Sequence, residues 1–294
     1  MAELFNEEDN INTKRNVNRW ANARVNPMKV DVVLLTKNSL KPCLFECVES
    51  IYRNAPVNKL IVVDGGSTDG TLELVKRYPN VEIIEDSHGT RATARQKGID
   101  VVETEWHVHV DSDVILCEDW FRKAWEKVED DVGAVWGVAV PNEKHYFNAT
   151  YAMSKLYRIS VKDLMARQMR SERCMMHDTL IRTSTVKDIK IPSNLHMWED
   201  DYIGRHIIRK GYRFLKVADP YCLHNVTPYE RTRGYVTTGY LMKTYHYARF
   251  SQVFRWVVLA IPKSAWIYIV TRDFQASKGN FISNVLVFKG WLAE

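Results

Sequence analysis

The chain has 294 residues, 46% of them apolar and 26% charged, a balance that suits one large globular domain or one domain with a smaller appendage. No run of 18 uncharged apolar residues occurs, which argues against a transmembrane helix, and residues 1–28 lack the apolar core of a signal peptide. The net charge of +5 is uneven: residues 231–294 hold nine Lys/Arg and two Asp/Glu, a net of +7, so residues 1–230 carry −2.

Residues 1–28 read as a polar N-terminal arm. The run VDVVLL (30–35) is short, apolar and β-branched, the mark of a buried parallel strand. Residues 40–53 show helical spacing, with Leu44, Val48 and Ile51 on one face. KLIVVD (59–64) predicts a second strand, and 69–78 a helix capped by Ser67 or Asp69. VEIIE (81–85) predicts a third strand, 91–102 a third helix, and EWHVHV (105–110) a fourth strand, with another helix starting near Glu118. Beyond residue 140 the pattern predicts a long helix near 145–170, a strand within 173–190, a helix over 199–210 and a strand over 212–217. Strands alternating with helices indicate a doubly wound α/β sheet, whose ligands bind beyond the carboxyl ends of the strands. The five cysteines are odd in number and match no common zinc spacing, so they read as reduced, mostly buried thiols of a cytoplasmic protein.

Polar groups gather where these strands end. The first strand runs into Thr36, Lys37 and Asn38. The second ends in VVDGGSTDGT (62–71): Gly65 and Gly66 allow a sharp turn and close approach to a ligand, and Asp64 can accept from a nucleobase N–H. The pattern alone fits a well-capped strand-to-helix turn equally well. In GTRATARQKGI (89–99), Arg91 and Arg95 lie four apart near a helix start, where a nearby anion would offset their conflict with the helix dipole. The fourth strand ends in HVDSDVIL (109–116). Two acids flanking Ser112 repel unless a cation sits between them, and oxygen ligands on that short spacing suit Mg2+ or Mn2+. WEDD (198–201) opens an amphipathic basic helix, after a loop with Pro192 that can cover a crevice, and YCLHNV (221–226) carries His224.

In this order the motifs VVLLTKN, IVVDGGSTDGT, RATARQKGI, HVDSDVIL, WEDDYIGRHIIRKGYRF and YCLH resemble the inverting family 2 glycosyltransferases, over about residues 30–225. The resemblance implies the GT-A fold, a doubly wound, mostly parallel sheet flanked by helices, here with a C-terminal helical, basic-aromatic extension. It divides the chain into an arm (1–28), a catalytic domain (29–230, with a nucleotide-binding half to 115 and an acceptor half from 116) and the extension (231–294). It implies a nucleotide site of Thr36, Lys37, Asn38, Asp64, Gly65, Ser67, Arg91, Arg95, Asp111 and Ser112. Mn2+ or Mg2+ would be held by Asp111, Asp113 and His224, and the general base would be Asp200, with Glu199 and Asp201 beside it. The TKN turn departs from the Thr-Tyr-Asn type common in the family, and the third acid leaves the base uncertain by one residue. The implied donor is a UDP-sugar first and a GDP-sugar second; the acceptor is a sugar or lipid-linked glycan.

In the tail, FRWVVLAIPKSAWIYIV (254–270) is apolar but interrupted by Pro262 and Lys263, and its aromatics mix with Arg and Lys as in helices lying on a lipid surface. With the reduced cysteines, the expectation is a cytoplasmic protein that can lie peripherally on the cytoplasmic face of a membrane. A nucleotidyltransferase is the rival enzyme, but it would carry a Gly-rich loop where this chain has TKNSLKP. A non-catalytic nucleotide-sugar-binding module is the second rival. No RNA-recognition motif supports a nucleic-acid partner.

Overall fold

The computed structural model describes residues 28–171, 174–193, 195, 197–225 and 232–293, so residues 1–27 of the expected arm lie outside it. Four apolar runs form strands β1 (Val30–Thr36), β2 (Val57–Asp64), β3 (Val81–Glu85) and β4 (Trp106–Asp111). Helices α1 (Leu44–Asn54), α2 (Thr71–Val75) and α3 (Arg91–Val101) connect them. The spatial order β3-β2-β1-β4 is parallel throughout, so every strand in it ends on the same edge. The register sets Thr36 beside Asp64 and Leu35 beside Asp111.

The second half differs more from expectation. After β5 (Val114–Leu116) and α4 (Trp120–Trp125) comes β6 (Val132–Pro141), a strand that alternation does not reveal because all ten of its residues are buried. The expected single helix near 145–170 is two, α5 (Lys144–Tyr157) and α6 (Val161–Ser171). Arg158 adopts a left-handed φ of 56° and ends α5, and Ser160 Oγ accepts from Asp163 N at 3.0 Å to start α6. Strand β7 (Asp178–Arg182) runs antiparallel between β4 and β6. Helix α7 (Glu199–Arg209) follows, then β8 (Arg213–His224), parallel to β6 and longer than the expected 212–217. The edge strand β5 pairs with β8 and brings Val114 opposite His224.

Helix α2 is also shorter than expected and follows Gly70 at φ 94°; Asp69 accepts from Thr71 N at 3.1 Å, but Ser67 caps nothing and is committed elsewhere. One core face packs α1 and α4 on the sheet through Leu44, Val48, Ile51 and Trp120, and the other packs α3 and α7 through Ala92, Ile99, Ile203 and Ile207. All five cysteines are free and buried.

The tail forms α8 (Thr232–Thr244), α9 (Phe250–Thr271) and α10 (Phe274–Leu292). Pro262 and Lys263 do not break α9, which stays continuous for 22 residues and is long and apolar enough to cross a membrane. Pro262 sits on the exposed side, where the carbonyl it leaves unpaired can meet water. Helices α8 and α10 touch backbone to backbone: a Cβ on Gly239 would stand 1.9 Å from the Val287 carbonyl oxygen, and one on Gly290 1.8 Å from that of Val236. The bundle is bolted to α5. Trp266 Nε1 donates to the Ala152 carbonyl at 2.8 Å, and Asp273, the N-cap of α10, accepts from Asn148 Nδ2 at 2.8 Å and meets His145 Nδ1 at 2.8 Å.

Candidate active site

The turn after β2 is built around Asp64. Its carboxylate accepts from Thr36 Oγ1 at 2.9 Å, Ser67 Oγ at 2.5 Å, Gly66 N at 2.9 Å and Ser67 N at 2.7 Å. Burial alone would raise its pKa, but these donors outweigh burial and hold it below the usual carboxylate range. Asn38 lies across the turn, donating its N–H to Ser67 Oγ at 2.8 Å and accepting from Thr68 N at 2.8 Å through Oδ1. The β1 and β2 ends are thus one hydrogen-bonded unit.

Helix α3 is capped by Thr90 and Thr93 and directs Arg95 under the sheet edge, where it is 3% exposed. Its guanidinium donates to Asp111 Oδ1 at 2.5 Å and faces His109 Nδ1 at 3.0 Å. Burial opposes its charge, but Asp111, Glu199 and Asp200 more than compensate and raise its pKa. Burial, and then Arg95, push His109 well down, so its Nδ1 is the acceptor and the imidazole is neutral. Arg95 therefore has its anion, and the conflict with the helix dipole is relieved.

Asp113 and His224 meet at the β5–β8 edge, with Oδ1 and Nε2 3.5 Å apart. His177 lies behind them, its ring centroid 5.4 Å from that of His224 and its Nδ1 2.9 Å from Asp178 Oδ1. Asp178 is fully buried and also accepts from Trp120 Nε1 at 3.1 Å, so His177 is anchored from within the core.

The acid run opens α7 with all three side chains buried. Burial first, then Asp200, raise the Glu199 pKa to about 7 against the pull of Arg95 and Arg91. Asp201 takes no part in the cavity: it accepts from Cys174 N at 3.1 Å, from Arg205 Nε at 2.6 Å and from the Tyr247 hydroxyl. A raised carboxyl pKa has a thermodynamic consequence. Between the ordinary 4.5 and about 7 the folded chain keeps a proton that the unfolded chain has lost, so stability falls as pH rises through that window and levels off above it. Glu199→Gln is expected to raise the Tm by on the order of a few degrees at pH 8 and to lose that advantage near pH 4.5. Thermal melts at both pH values check this; an equal difference at both contradicts it.

A cavity of about 620 Å3 runs along the strand ends. Its walls include Thr36, Lys37, Asn38, Gly65, Arg91, Arg95, Asp111, Ser112, Asp113, Glu199, Asp200 and His224. Of the residues picked from the sequence, Asp64, Ser67 and Asp201 do not line it: the first two shape the turn from behind and the third faces the C-terminal helices. Asp86 and His177 line it and were missed. Asp86 directly follows β3, just as Asp64 and Asp111 end their strands, so the strand-end rule applied to β3 finds it. His177 carries no such signal; only the antiparallel insertion of β7, with Asp111 N donating to the His177 carbonyl at 3.1 Å, brings it to the cavity.

A doubly wound sheet with acids at its strand ends, a buried arginine beneath them and an acidic helix start across the cavity is the architecture of the GT-A glycosyltransferase class. The family model for Glycosyl transferase family 2 matches residues 31–186, and the chain belongs to that family. Glycosyltransferase GlyG of Streptococcus pneumoniae is 27% identical over 136 residues, 42% of this chain and 45% of that protein, so the match spans less than half of that relative. The O-antigen chain rhamnosyltransferase RfbN of Salmonella typhimurium is 26% identical over 233 residues, 72% of each chain. Two solved structures share the fold. The mannosyltransferase PcManGT from Pyrobaculum calidifontis, in complex with GDP-Man and Mn2+, superposes with a TM-score of 0.55 at 18% identity, over 88% of this chain and 73% of that one. TarS of S. aureus gives 0.52 at 20% identity, over 71% of this chain and 38% of that one.

Proposed function

We propose that this transferase moves a sugar from a nucleoside-diphosphate sugar, UDP-linked first and GDP-linked second, to an acceptor hydroxyl with inversion of the anomeric centre. The observation that carries the reading is that the Asp113–His224 pair and the Glu199–Asp200 pair line one cavity together with Arg95. The catalytic unit is residues 29–230. Fold neighbours are recorded with GDP-Man and Mn2+, with UDP and with UDP-GlcNAc, which supports the donor class.

Two carboxylates and an imidazole form a donor set suited to Mn2+ or Mg2+, with Asp113 and His224 as the nearer pair and Asp111 contributing the oxygen that Arg95 leaves free. Such an ion, when bound, offsets negative charge on the departing diphosphate. The remaining work falls to the chain. Thr36, Lys37, Asn38 and Gly65 bound the nucleotide end, which the Asp64 network holds in shape, and Arg91 and Ser112 lie on the path to the diphosphate. Arg95 fixes Asp111. The acceptor oxygen bonds to the anomeric carbon, the bond from that carbon to the phosphate oxygen breaks with its electron pair, and Asp200 takes the acceptor proton. Glu199, its pKa raised to about 7, is about half protonated at neutral pH and so spares Asp200 part of a second adjacent negative charge. One displacement with no enzyme nucleophile inverts the configuration. The test is NDP release from UDP-GlcNAc and GDP-Man with Mn2+, followed by NMR of the product anomer; a retained configuration contradicts the reading.

The proposed acceptor is a glycan or lipid-linked glycan met at a membrane surface, on the cytoplasmic face. Phe250, Phe254, Val258, Ile261 and Ile269 are exposed along one side of α9, while Val253, Ala260, Ser264 and Ile267 on the other side are buried in the protein. With a net +7 over residues 231–294, that side suits an in-plane contact with anionic lipid. Phe254→Asp with Ile261→Asp is expected to cut co-sedimentation with phosphatidylglycerol vesicles by about tenfold or more. Vesicle binding unchanged by the pair contradicts the membrane reading.

A further inference from the structure

Asp201 is the member of the acid run that turns away from the cavity, and what holds it comes from the C-terminal helices. Tyr247, between α8 and α9, donates its hydroxyl to Asp201 Oδ2. Its ring lies on the Trp198 indole, with centroids 4.3 Å apart and planes 15° from parallel. Arg205, one turn along α7, donates Nε to the same Asp201 oxygen at 2.6 Å and sets its guanidinium 4.4 Å above the Tyr247 ring. The stack is therefore Trp198, Tyr247 and Arg205, and Asp201 closes it.

Trp198 is the residue on which α7 starts, and it is left-handed at φ 74°, a conformation that bulky side chains rarely adopt. Glu199 and Asp200 follow it directly. Whatever holds Trp198 in that conformation and Asp201 in place also sets the direction of the two acids between them. The Tyr247 segment is itself fixed, since its N–H donates to the Met242 carbonyl at 2.9 Å and the neighbouring Ala248 carbonyl accepts from Trp291 Nε1 of α10 at 3.4 Å.

We propose that Tyr247 is a positioning residue, through which the C-terminal helices fix the orientation of Glu199 and Asp200 toward the cavity. Neither Tyr247 nor Asp201 lines that cavity. The proposal rests on Asp200 being the general base.

Tyr247→Phe keeps the ring and removes the hydroxyl; Asp201→Asn weakens the same contact from the other side. Hydrogen exchange of the peptide spanning 197–204 reads the brace without substrate. NDP release from UDP-GlcNAc or GDP-Man with Mn2+, resolved into kcat and KM, reads its effect on turnover. Tyr247→Phe is expected to lower kcat by about tenfold to a hundredfold, to leave donor KM and UDP affinity within about twofold, and to speed exchange in the 197–204 peptide alone. The double variant is expected to be no worse than the worse single one, because both remove one contact. Parent-like kcat and exchange overturn the proposal. So does a loss of turnover matched by lost UDP affinity and a lower Tm, which makes Tyr247 general packing. Where neither donor turns over, the exchange result decides alone. Asp200→Asn with parent turnover would sink the base assignment instead, and the exchange result would stand apart from it.

Discussion

Asp200→Asn is expected to lower sugar transfer by about a hundredfold or more while leaving nucleotide affinity within about twofold. The amide keeps the shape of the carboxylate and cannot take a proton from the acceptor. Asp200 lines the cavity at the start of α7, whereas Asp201 is committed to Arg205, Tyr247 and the Cys174 amide, and Glu199 is raised to about 7 by burial and by Asp200. The parallel variant Asp201→Asn therefore tests position rather than proton transfer, and its loss should be smaller. Single-turnover kinetics alongside nucleotide titration check the prediction. A variant that loses nucleotide binding would make Asp200 a ligand and return the base to one of its neighbours.

Asp113→Ala is expected to weaken Mn2+-dependent nucleotide binding by about a hundredfold or more, with little change in the weaker binding measured without metal. Asp113 lies 3.5 Å from His224 Nε2 at the mouth of the cavity, whereas Asp111 already gives one oxygen to Arg95 at 2.5 Å. The two acids thus differ in kind. On the proposed metal site, removing Asp113 would take away a ligand, and removing Asp111 would also deprive the buried Arg95 guanidinium of its ion pair, which should lower stability. Titration calorimetry with and without Mn2+ separates these effects, and metal-dependent binding unchanged in Asp113→Ala would remove this residue from the ligand set.

The sequence was most legible where each strand has a conspicuous end. Runs such as VDVVLL and KLIVVD are buried on both faces and stop abruptly at polar residues, so β1 to β4, their shared edge and the acids on it can be read from local pattern. The second half was less legible because its order is not local. Strand β6 is apolar throughout and gives no alternation, and β7 enters the sheet antiparallel between β4 and β6, a placement no spacing encodes. His177 reaches the cavity only through that insertion. The break between α5 and α6 did have a signal, the Ser160–Asp163 pair, hidden by helical periodicity on both sides. Asp64, Ser67 and Asp201 show a different limit. Composition shows that a polar residue stands at a turn, but not whether it faces the cavity or holds the turn that does.

One cavity is proposed to bind a nucleoside diphosphate together with a divalent cation. The most direct measurement is a thermal-shift panel of UDP, GDP, CMP and dTDP, each with and without Mn2+, since a ligand that binds the native state raises the Tm. A shift with one diphosphate, UDP or GDP, that requires Mn2+ is the predicted result. No shift with any nucleotide, or the same shift without metal, would contradict it.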